Sequence, residues 1–88
     1  MMPSDDILFA EWPRQKGEVW RLRISTFNGR PFVDLRVFYR GRSGDYLPTK
    51  KGVALGVSHL AELADGLSLA LEYARGHELV GPPDTEWK

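Results

Sequence analysis

The sequence predicts an α+β domain in which β-strands precede a single C-terminal amphipathic helix. Residues 18–27 and 30–40 alternate apolar and polar side chains with the period of two that is typical of a half-exposed strand. From Ser58 the apolar residues recur instead at steps of three and four, which is the spacing of one face of an α-helix. Strands followed by one helix favour a sheet whose apolar face is covered by that helix.

The remaining strand and turn segments are shorter. Residues 7–12 (ILFAEW) form an apolar run that is either a first strand or an arm, and residues 13–17 (PRQKG) are predicted to be a turn. A second turn is predicted over residues 41–48 (GRSGDYLP), and a short strand is predicted over residues 51–55 (KGVAL).

The helix is predicted to begin with Ser58 as its N-cap and to stop at Gly76. Its apolar stripe has heptad-like spacing, and Leu69 and Tyr73 fall to one side of the stripe. A helix with apolar residues beyond its sheet-facing stripe has surface left for a partner, so we expect a homodimer. The residues predicted at the dimer interface are Leu60, Leu63, Leu67 and Leu71.

The 88 residues can form one domain with a small core, so oligomerisation is an expected source of stability. We place this domain at residues 7–75, between flexible tails at residues 1–6 and 76–88. The absence of cysteine and the presence of only two histidines predict no disulfide, no metal and no cofactor.

The sequence also lacks the features of a membrane or secreted protein. Its longest apolar stretches are far shorter than the roughly 20 residues of a membrane span. Its acidic start does not resemble a signal peptide. We therefore expect a cytoplasmic protein without membrane contact, associated with the nucleoid if the source is bacterial.

The formal charge of zero conceals a strong asymmetry along the chain. Residues 14–51 contain ten of the twelve basic residues against three of the twelve acidic residues, which leaves this segment at +7 and the remainder at −7. A concentrated positive charge produces a local field that attracts polyanions, even where the whole chain is neutral.

A two-residue loop at Asn28-Gly29, a strong hairpin signal, fixes the register of the two long strands. Successive pairs then alternate between an apolar face and a polar face, and a slip of one residue would mix the two faces. The predicted pairs on the polar face are Phe27 with Arg30, Ser25 with Phe32, Arg23 with Asp34, Arg21 with Arg36, and Val19 with Phe38; those on the apolar face are Ile24 with Val33, Leu22 with Leu35, and Trp20 with Val37.

The polar face mixes arginines with phenylalanines, and this mixture has two interpretations. Guanidinium groups bind phosphates and stack on bases, while aromatic rings are platforms for unpaired bases, so the face is suited to single-stranded DNA or RNA. In the alternative, Arg23 simply pairs with Asp34 across the strands, and the phenylalanines are covered by residues 7–12 or by a partner subunit.

A series of short motifs follows in order along residues 18–72. They are Phe27-Asn28-Gly29-Arg30, Asp34-Leu35-Arg36, Phe38-Tyr39, Gly44, Pro48, and Lys50-Lys51-Gly52-Val53-Ala54-Leu55. In this order they resemble the positive cofactor four (transcriptional coactivator p15) family and its bacterial relatives. The resemblance implies a four-stranded antiparallel curved sheet followed by one helix, a dimer formed partly through that helix, and binding of single-stranded or locally unwound DNA.

Carried over by position, the resemblance implies DNA contacts by one set of residues within these motifs: Phe27, Arg30, Arg36, Tyr39, Lys50 and Lys51. Joined with the polar face of the hairpin, the predicted nucleic-acid-binding residues are Arg21, Arg23, Phe27, Arg30, Phe32, Arg36, Phe38, Tyr39, Lys50 and Lys51.

Three positions depart from the pattern of the family. Ser25 stands where better-known members have a basic residue, and Asn28 replaces a lysine in the turn. Tyr39 has the wrong parity to share the face of Arg36 in a regular strand. Either a bulge redirects Tyr39, or Phe38 takes its role.

Two functions are compatible with these features, and neither is enzymatic. His59 and Ser58 are adjacent at a helix start and cannot face each other as a base and nucleophile would. The first function is a homodimeric single-stranded DNA-binding protein, largely independent of sequence, that holds unwound DNA in transcription regulation, replication or repair. The second is an interaction module of the transcription machinery whose Arg/Phe face docks an acidic peptide.

Overall fold

The computed structural model describes residues 6–79 as four β-strands followed by one helix. The strands are β1 (Ile7–Gln15), β2 (Glu18–Phe27), β3 (Arg30–Arg40) and β4 (Tyr46–Gly56), and the helix is α1 (Leu60–Gly76). The chain divides into two compact units, the first ending at Ser58 and the second beginning at His59. Most of the two predicted tails, residues 1–5 and 80–88, lies outside the described residues.

The four strands form one antiparallel sheet in the order β1-β2-β3-β4, with each strand paired to the next in sequence. Register shifts interrupt both the β1–β2 and the β3–β4 pairings, and such irregularities bend and twist a sheet. The predicted α+β class, with a four-stranded antiparallel curved sheet and one C-terminal amphipathic helix, is confirmed.

The β2–β3 hairpin has the predicted register at every pair, from Phe27 with Arg30 to Val19 with Phe38. Asn28 has a φ of 54° and Gly29 a φ of 76°, which is the pattern of a type I′ turn. Few residues other than glycine adopt positive φ readily, and asparagine is one of them. The turn therefore fixes which side chains share a face of the sheet.

Both edge strands extend beyond their predicted ranges. Residues 13–15 belong to β1, so the turn that the sequence assigns to residues 13–17 contains only Lys16 and Gly17. β4 begins at Tyr46 rather than at residue 51. Each extension includes a proline, which is tolerated because an edge strand needs its backbone donors on one side only.

β4 bulges away from β3 near its middle. Arg36 pairs with Gly52, whereas Phe38 pairs with Pro48, so residues 49–51 lie opposite a single residue of β3. We call residues 49–51 the β4 bulge.

The helix starts later than the sequence predicts. Val57–His59 form a 3-10 turn, which places Ser58 inside that turn, so His59 rather than Ser58 is the N-cap of α1. Among the described residues, no side chain caps this helix end by a hydrogen bond.

Within residues 6–79 no helix has the length and hydropathy needed to span a membrane. The prediction that α1 covers the apolar face of the sheet stays a prediction.

α1 ends at Gly76, as predicted, and the chain leaves it through a Schellman motif. The Leu79 N–H donates to the Ala74 carbonyl at 2.7 Å, and the Glu78 N–H donates to the Arg75 carbonyl at 3.2 Å. Glu78 adopts a φ of 56°, in the left-handed region where a side chain other than that of glycine is strained.

Replacing Glu78 with glycine is therefore expected to stabilise the helix end by about 0.5–1 kcal/mol, because glycine adopts this conformation without steric cost. Urea denaturation followed by far-UV circular dichroism measures the change. Glu72 is the matched control, since it is also an exposed glutamate but lies inside α1, where glycine should destabilise by about 1 kcal/mol. A stability loss in E78G would contradict the expectation.

Candidate nucleic-acid interface

The β2–β3 register gathers seven of the ten predicted binding residues on one face of the sheet, which we call the basic face. These residues are Arg21, Arg23, Phe27, Arg30, Phe32, Arg36 and Phe38. Tyr39, Lys50 and Lys51 are placed differently.

A buried carboxylate lies at the centre of the basic face. Asp34 is 1% exposed and accepts hydrogen bonds from Arg23 Nε at 3.2 Å and from Arg36 Nη2 at 2.8 Å. Both arginine side chains are mostly buried. A buried charge requires partners of this kind, because an unpaired carboxylate away from water is strongly disfavoured. The predicted cross-strand pair of Arg23 and Asp34 is present.

Two further carboxylates reach arginines of the basic face from the β1 side. Asp6 Oδ2 lies 2.7 Å from Arg23 Nη1, and its other oxygen accepts a hydrogen bond from the Ser25 hydroxyl. Glu11 Oε2 lies 2.9 Å from Arg21 Nε. The sequence assigns Asp6 to a flexible tail, but these contacts hold it against β2.

The centre of the basic face is therefore neutral rather than basic. We call this group the arginine centre; its members are Arg21, Arg23 and Arg36 with Asp6, Glu11 and Asp34. Three guanidinium groups are matched by three carboxylates, so the group attracts a polyanion less than its arginines alone would.

Phe38 lies on the basic face but is covered. It is 6% exposed, and the guanidinium carbon of Arg21 lies 4.9 Å from its ring centroid, with that of Arg23 at 5.3 Å. A base cannot stack on a ring that two cations already cover, so the geometry does not fit the stacking role predicted for Phe38. The ring supports the two arginines instead.

Tyr46 is a neighbour of these residues that the sequence did not reveal. Its ring centroid lies 5.1 Å from the guanidinium carbon of Arg21, and it pairs with Arg40 across β3 and β4. The sequence predicts that β4 begins at residue 51, which leaves Tyr46 outside the sheet. Extending the strand back past Pro48 would have placed Tyr46 in the sheet.

Tyr39 is on the other face of the sheet. It pairs with Glu18 on β2 and with Leu47 on β4, out of parity with Arg36. The β2–β3 register is continuous through Tyr39, so the bulge proposed to redirect this side chain is absent from β3 and lies instead in β4.

The most open aromatic on the basic face is at the hairpin tip. Phe27 is 69% exposed, and the Arg30 side chain opposite it is also exposed. Beside them is an open pocket of about 350 Å³ with mainly apolar walls. We call it the hairpin-tip pocket; its lining residues are Phe27, Arg30, Pro31, Phe32, Ala54 and Gly56. Such a surface can receive a flat ring, with a guanidinium group available for an anion.

The β4 bulge presents the two lysines on a fixed backbone. The Thr49 hydroxyl donates to the Val37 carbonyl at 2.8 Å, and the Lys51 N–H donates to the Thr49 hydroxyl at 3.1 Å. Arg36 Nη1 donates to the Thr49 carbonyl at 3.1 Å. Arg36 thus links the bulge to Asp34, and Lys50 and Lys51 are left exposed.

The cations among the predicted binding residues fall into two groups. Arg21, Arg23 and Arg36 are neutralised in the arginine centre. Within residues 6–79, by contrast, no carboxylate lies within ion-pair distance of Arg30, Lys50 or Lys51. Of the predicted binding residues, the cations most available to a phosphate are thus those of the hairpin tip and the β4 bulge.

Comparison with known proteins agrees with the resemblance seen in the motifs. Residues 14–66 match the family model described as Transcriptional Coactivator p15 (PC4). The chain is 40% identical over 55 residues to an RNA polymerase II transcriptional coactivator of Drosophila melanogaster. That alignment covers 59% of this chain and 49% of the fly protein, so the chain spans about half the length of this curated relative.

Solved structures show the same fold. A PC4 homologue from Burkholderia pseudomallei K96243 is 29% identical, with a TM-score of 0.65 over 75% of this chain and 97% of that one. A bacteriophage T5 homologue of the eukaryotic coactivator PC4, described as implicated in recombination-dependent DNA replication, is 24% identical. Its TM-score is 0.69 over 85% of this chain and 88% of that one, and it supports the fold alone.

The matched segment contains all of β2, β3 and β4, and with them the hairpin tip, most of the arginine centre and the β4 bulge. The family predicted from the motifs is confirmed: the chain belongs to the transcriptional coactivator p15 (PC4) family.

Proposed function

We propose that the chain is a homodimeric single-stranded DNA-binding protein, largely independent of sequence, that holds unwound DNA in transcription regulation, replication or repair. The observation that carries this proposal is the hairpin-tip pocket, where Phe27 extends an uncovered ring beside Arg30. A duplex hides the faces of its bases, whereas each base of a single strand can stack on an aromatic ring.

The predicted contact residues divide into those that contact the DNA, those that support the sheet, and one that does neither. Phe27 and Phe32 receive bases, while Arg30, Lys50 and Lys51 contact phosphates. The arginine centre and Phe38 stabilise the sheet. Tyr39 lies on the other face and does not contact the bound DNA. The proposal includes no catalytic residue.

The homodimer is supported by the apolar stripe of α1. The predicted interface residues are Leu60, Leu63, Leu67 and Leu71, and none of them is buried in the single chain, with Leu67 60% exposed. A contiguous apolar stripe on a helix of this length is costly to leave in water. Analytical ultracentrifugation tests the assignment, since the mass of one chain at binding concentrations would overturn it.

The first test of function is fluorescence anisotropy with a labelled single strand of about 20 nucleotides and with the matching duplex, each at several salt concentrations. We expect the single strand to bind more tightly, with a log-log salt slope of about −0.7 for each neutralised phosphate. An RNA strand of the same sequence shows whether the sugar matters, because the 2′-hydroxyl is what distinguishes the two.

Replacing Phe27 with alanine is expected to weaken single-strand binding by about 1–3 kcal/mol, the value of one base stacked on an aromatic ring. The salt slope should stay unchanged, because the ring carries no charge. Phe9 is the matched control, since it is 61% exposed but lies on β1 and does not line the hairpin-tip pocket, and F9A should bind as the parent does.

Equal affinities for F27A and F9A would contradict the stacking role of Phe27. Weak and equal binding of single strand and duplex would contradict the proposed function as a whole. That second result would favour the docking of an acidic peptide on the Arg/Phe face instead.

A further inference from the structure

A second group of exposed cations lies at the end of the sheet opposite the hairpin tip. The β1–β2 turn and the β3–β4 loop meet at this end, because successive strands are antiparallel. The Arg40 N–H donates to the Gly17 carbonyl at 2.9 Å and joins the two connections. We call the group the turn-end cluster; its members are Lys16, Arg40 and Arg42.

The loop that carries Arg42 has a defined conformation. The Gly41 N–H donates to the Asp45 carbonyl at 2.8 Å, and the Gly44 N–H donates to the Gly41 carbonyl at 3.0 Å. Arg42 and Ser43 are therefore the two central residues of a closed β-turn. The turn holds the Arg42 backbone at its outer edge, where the side chain is exposed.

The turn-end cluster keeps its positive charge. In the part of the chain that the structure describes, no carboxylate lies within ion-pair distance of Lys16, Arg40 or Arg42. Of the two acids at this end, Glu18 is paired with Arg14, and Asp45 contacts the Ser43 hydroxyl at 3.5 Å. The cluster thus differs from the arginine centre, where every guanidinium group has a carboxylate.

The turn-end cluster continues the basic face. Arg40 has the same parity on β3 as Arg36 and Phe38, and it pairs with Tyr46, whose ring lies under Arg21. Nine steps of the β2–β3 ladder separate this end from the hairpin tip, which corresponds to about 30 Å along the strands. The basic face therefore has exposed cations at both ends and the neutral arginine centre between them, while the lysines of the β4 bulge lie beside that centre, opposite Val37.

We propose that the turn-end cluster is a second phosphate-binding site for the same single strand that the hairpin tip holds. This inference rests on the proposed function and adds a requirement to it. A single-stranded DNA must be long enough to span the sheet before it contacts both the hairpin tip and the turn-end cluster. A short single strand that stacks at the hairpin tip does not reach the turn-end cluster.

The test compares R42Q with the parent protein on oligothymidylates of about 4 to about 20 nucleotides, by anisotropy across a salt series. With the longest strand, loss of one phosphate contact should lower the salt slope by about 0.7 and the affinity about fourfold at about 0.15 M salt. With the shortest strands R42Q should match the parent. Arg75 supplies the control, because R75Q removes the same charge from α1.

The outcomes separate the inference from the proposed function. If R42Q behaves as R75Q does at every length, or lowers affinity equally for short and long strands, the second site is overturned while the function stands. If the parent protein shows no preference for single strands, the proposed function fails first. A circular dichroism spectrum equal to that of the parent establishes that R42Q is folded.

Discussion

Replacing Asp34 with alanine is expected to destabilise the sheet by about 3–5 kcal/mol, because removing one member of a buried ion pair leaves the other charges without a partner. We expect a value near the lower end of this range. Arg23 keeps Asp6, and Arg36 keeps the Thr49 carbonyl, so neither guanidinium group loses every acceptor.

Urea denaturation followed by tryptophan fluorescence measures this change, since Trp12 and Trp20 are paired across β1 and β2. Asp45 is the control: it is an exposed aspartate of the β3–β4 loop, and its replacement by alanine should shift stability by no more than about 0.5 kcal/mol. If D34A cost no more than D45A, the arginine centre would have no part in stability.

Replacing Gly52 with alanine is the second change with a large expected effect. A Cβ at this position would lie 2.6 Å from the Leu35 carbonyl oxygen and 2.8 Å from Arg36 Cα, and both are backbone atoms that cannot rotate away. The β3–β4 pairing must open to relieve the contact. We expect a loss of about 3 kcal/mol, at the upper end of what overpacking usually costs.

The same substitution should weaken single-strand binding, because Gly52 follows Lys50 and Lys51 and its pairing with Arg36 closes the β4 bulge. Gly66 offers an internal comparison. It lies inside α1, and a Cβ added there would meet no atom within 4 Å, so G66A should stabilise by about 1 kcal/mol. A G52A protein with parental stability would show that β4 can shift without cost.

The hairpin could be predicted from sequence because its determinants are local. Asn28 and Gly29 specify the turn, the turn specifies the register, and the alternation of the strands then assigns each side chain to a face. Most of the family motifs lie on this hairpin and on β4. The binding residues that the motifs imply therefore largely coincide with those that the register places on one face.

The β4 bulge and the start of β4 could not be predicted in the same way. The bulge depends on hydrogen bonds between Thr49 and residues of β3, twelve or more positions earlier in the chain. The start of β4 depends on the pairing of Tyr46 with Arg40 and of Leu47 with Tyr39. The alternation of apolar and polar residues does not show where three residues of one strand lie opposite a single residue of the next. The proline at position 48 also indicates a turn when only its neighbours are considered.

The charge of the basic face could not be predicted from the composition of its segment. The net charge of residues 14–51 indicates a strongly positive surface, yet Asp6 and Glu11 return to it because β1 pairs with β2. A count of charges along the sequence does not show which acidic residues folding brings next to the basic ones. The cations available to a ligand are therefore fewer, and lie nearer the ends of the sheet, than composition suggests.

The prolines of the two outer strands affect how neighbouring copies can meet. β1 and β4 are open edges, and β1 exposes Ile7, Leu8 and Phe9, a combination that favours edge-to-edge aggregation. Pro13 and Pro48 each remove a backbone donor from one edge, and the bulge with its lysines interrupts the other pairing positions of β4. Copies that meet at high concentration can thus remain separate instead of pairing edge to edge into fibres.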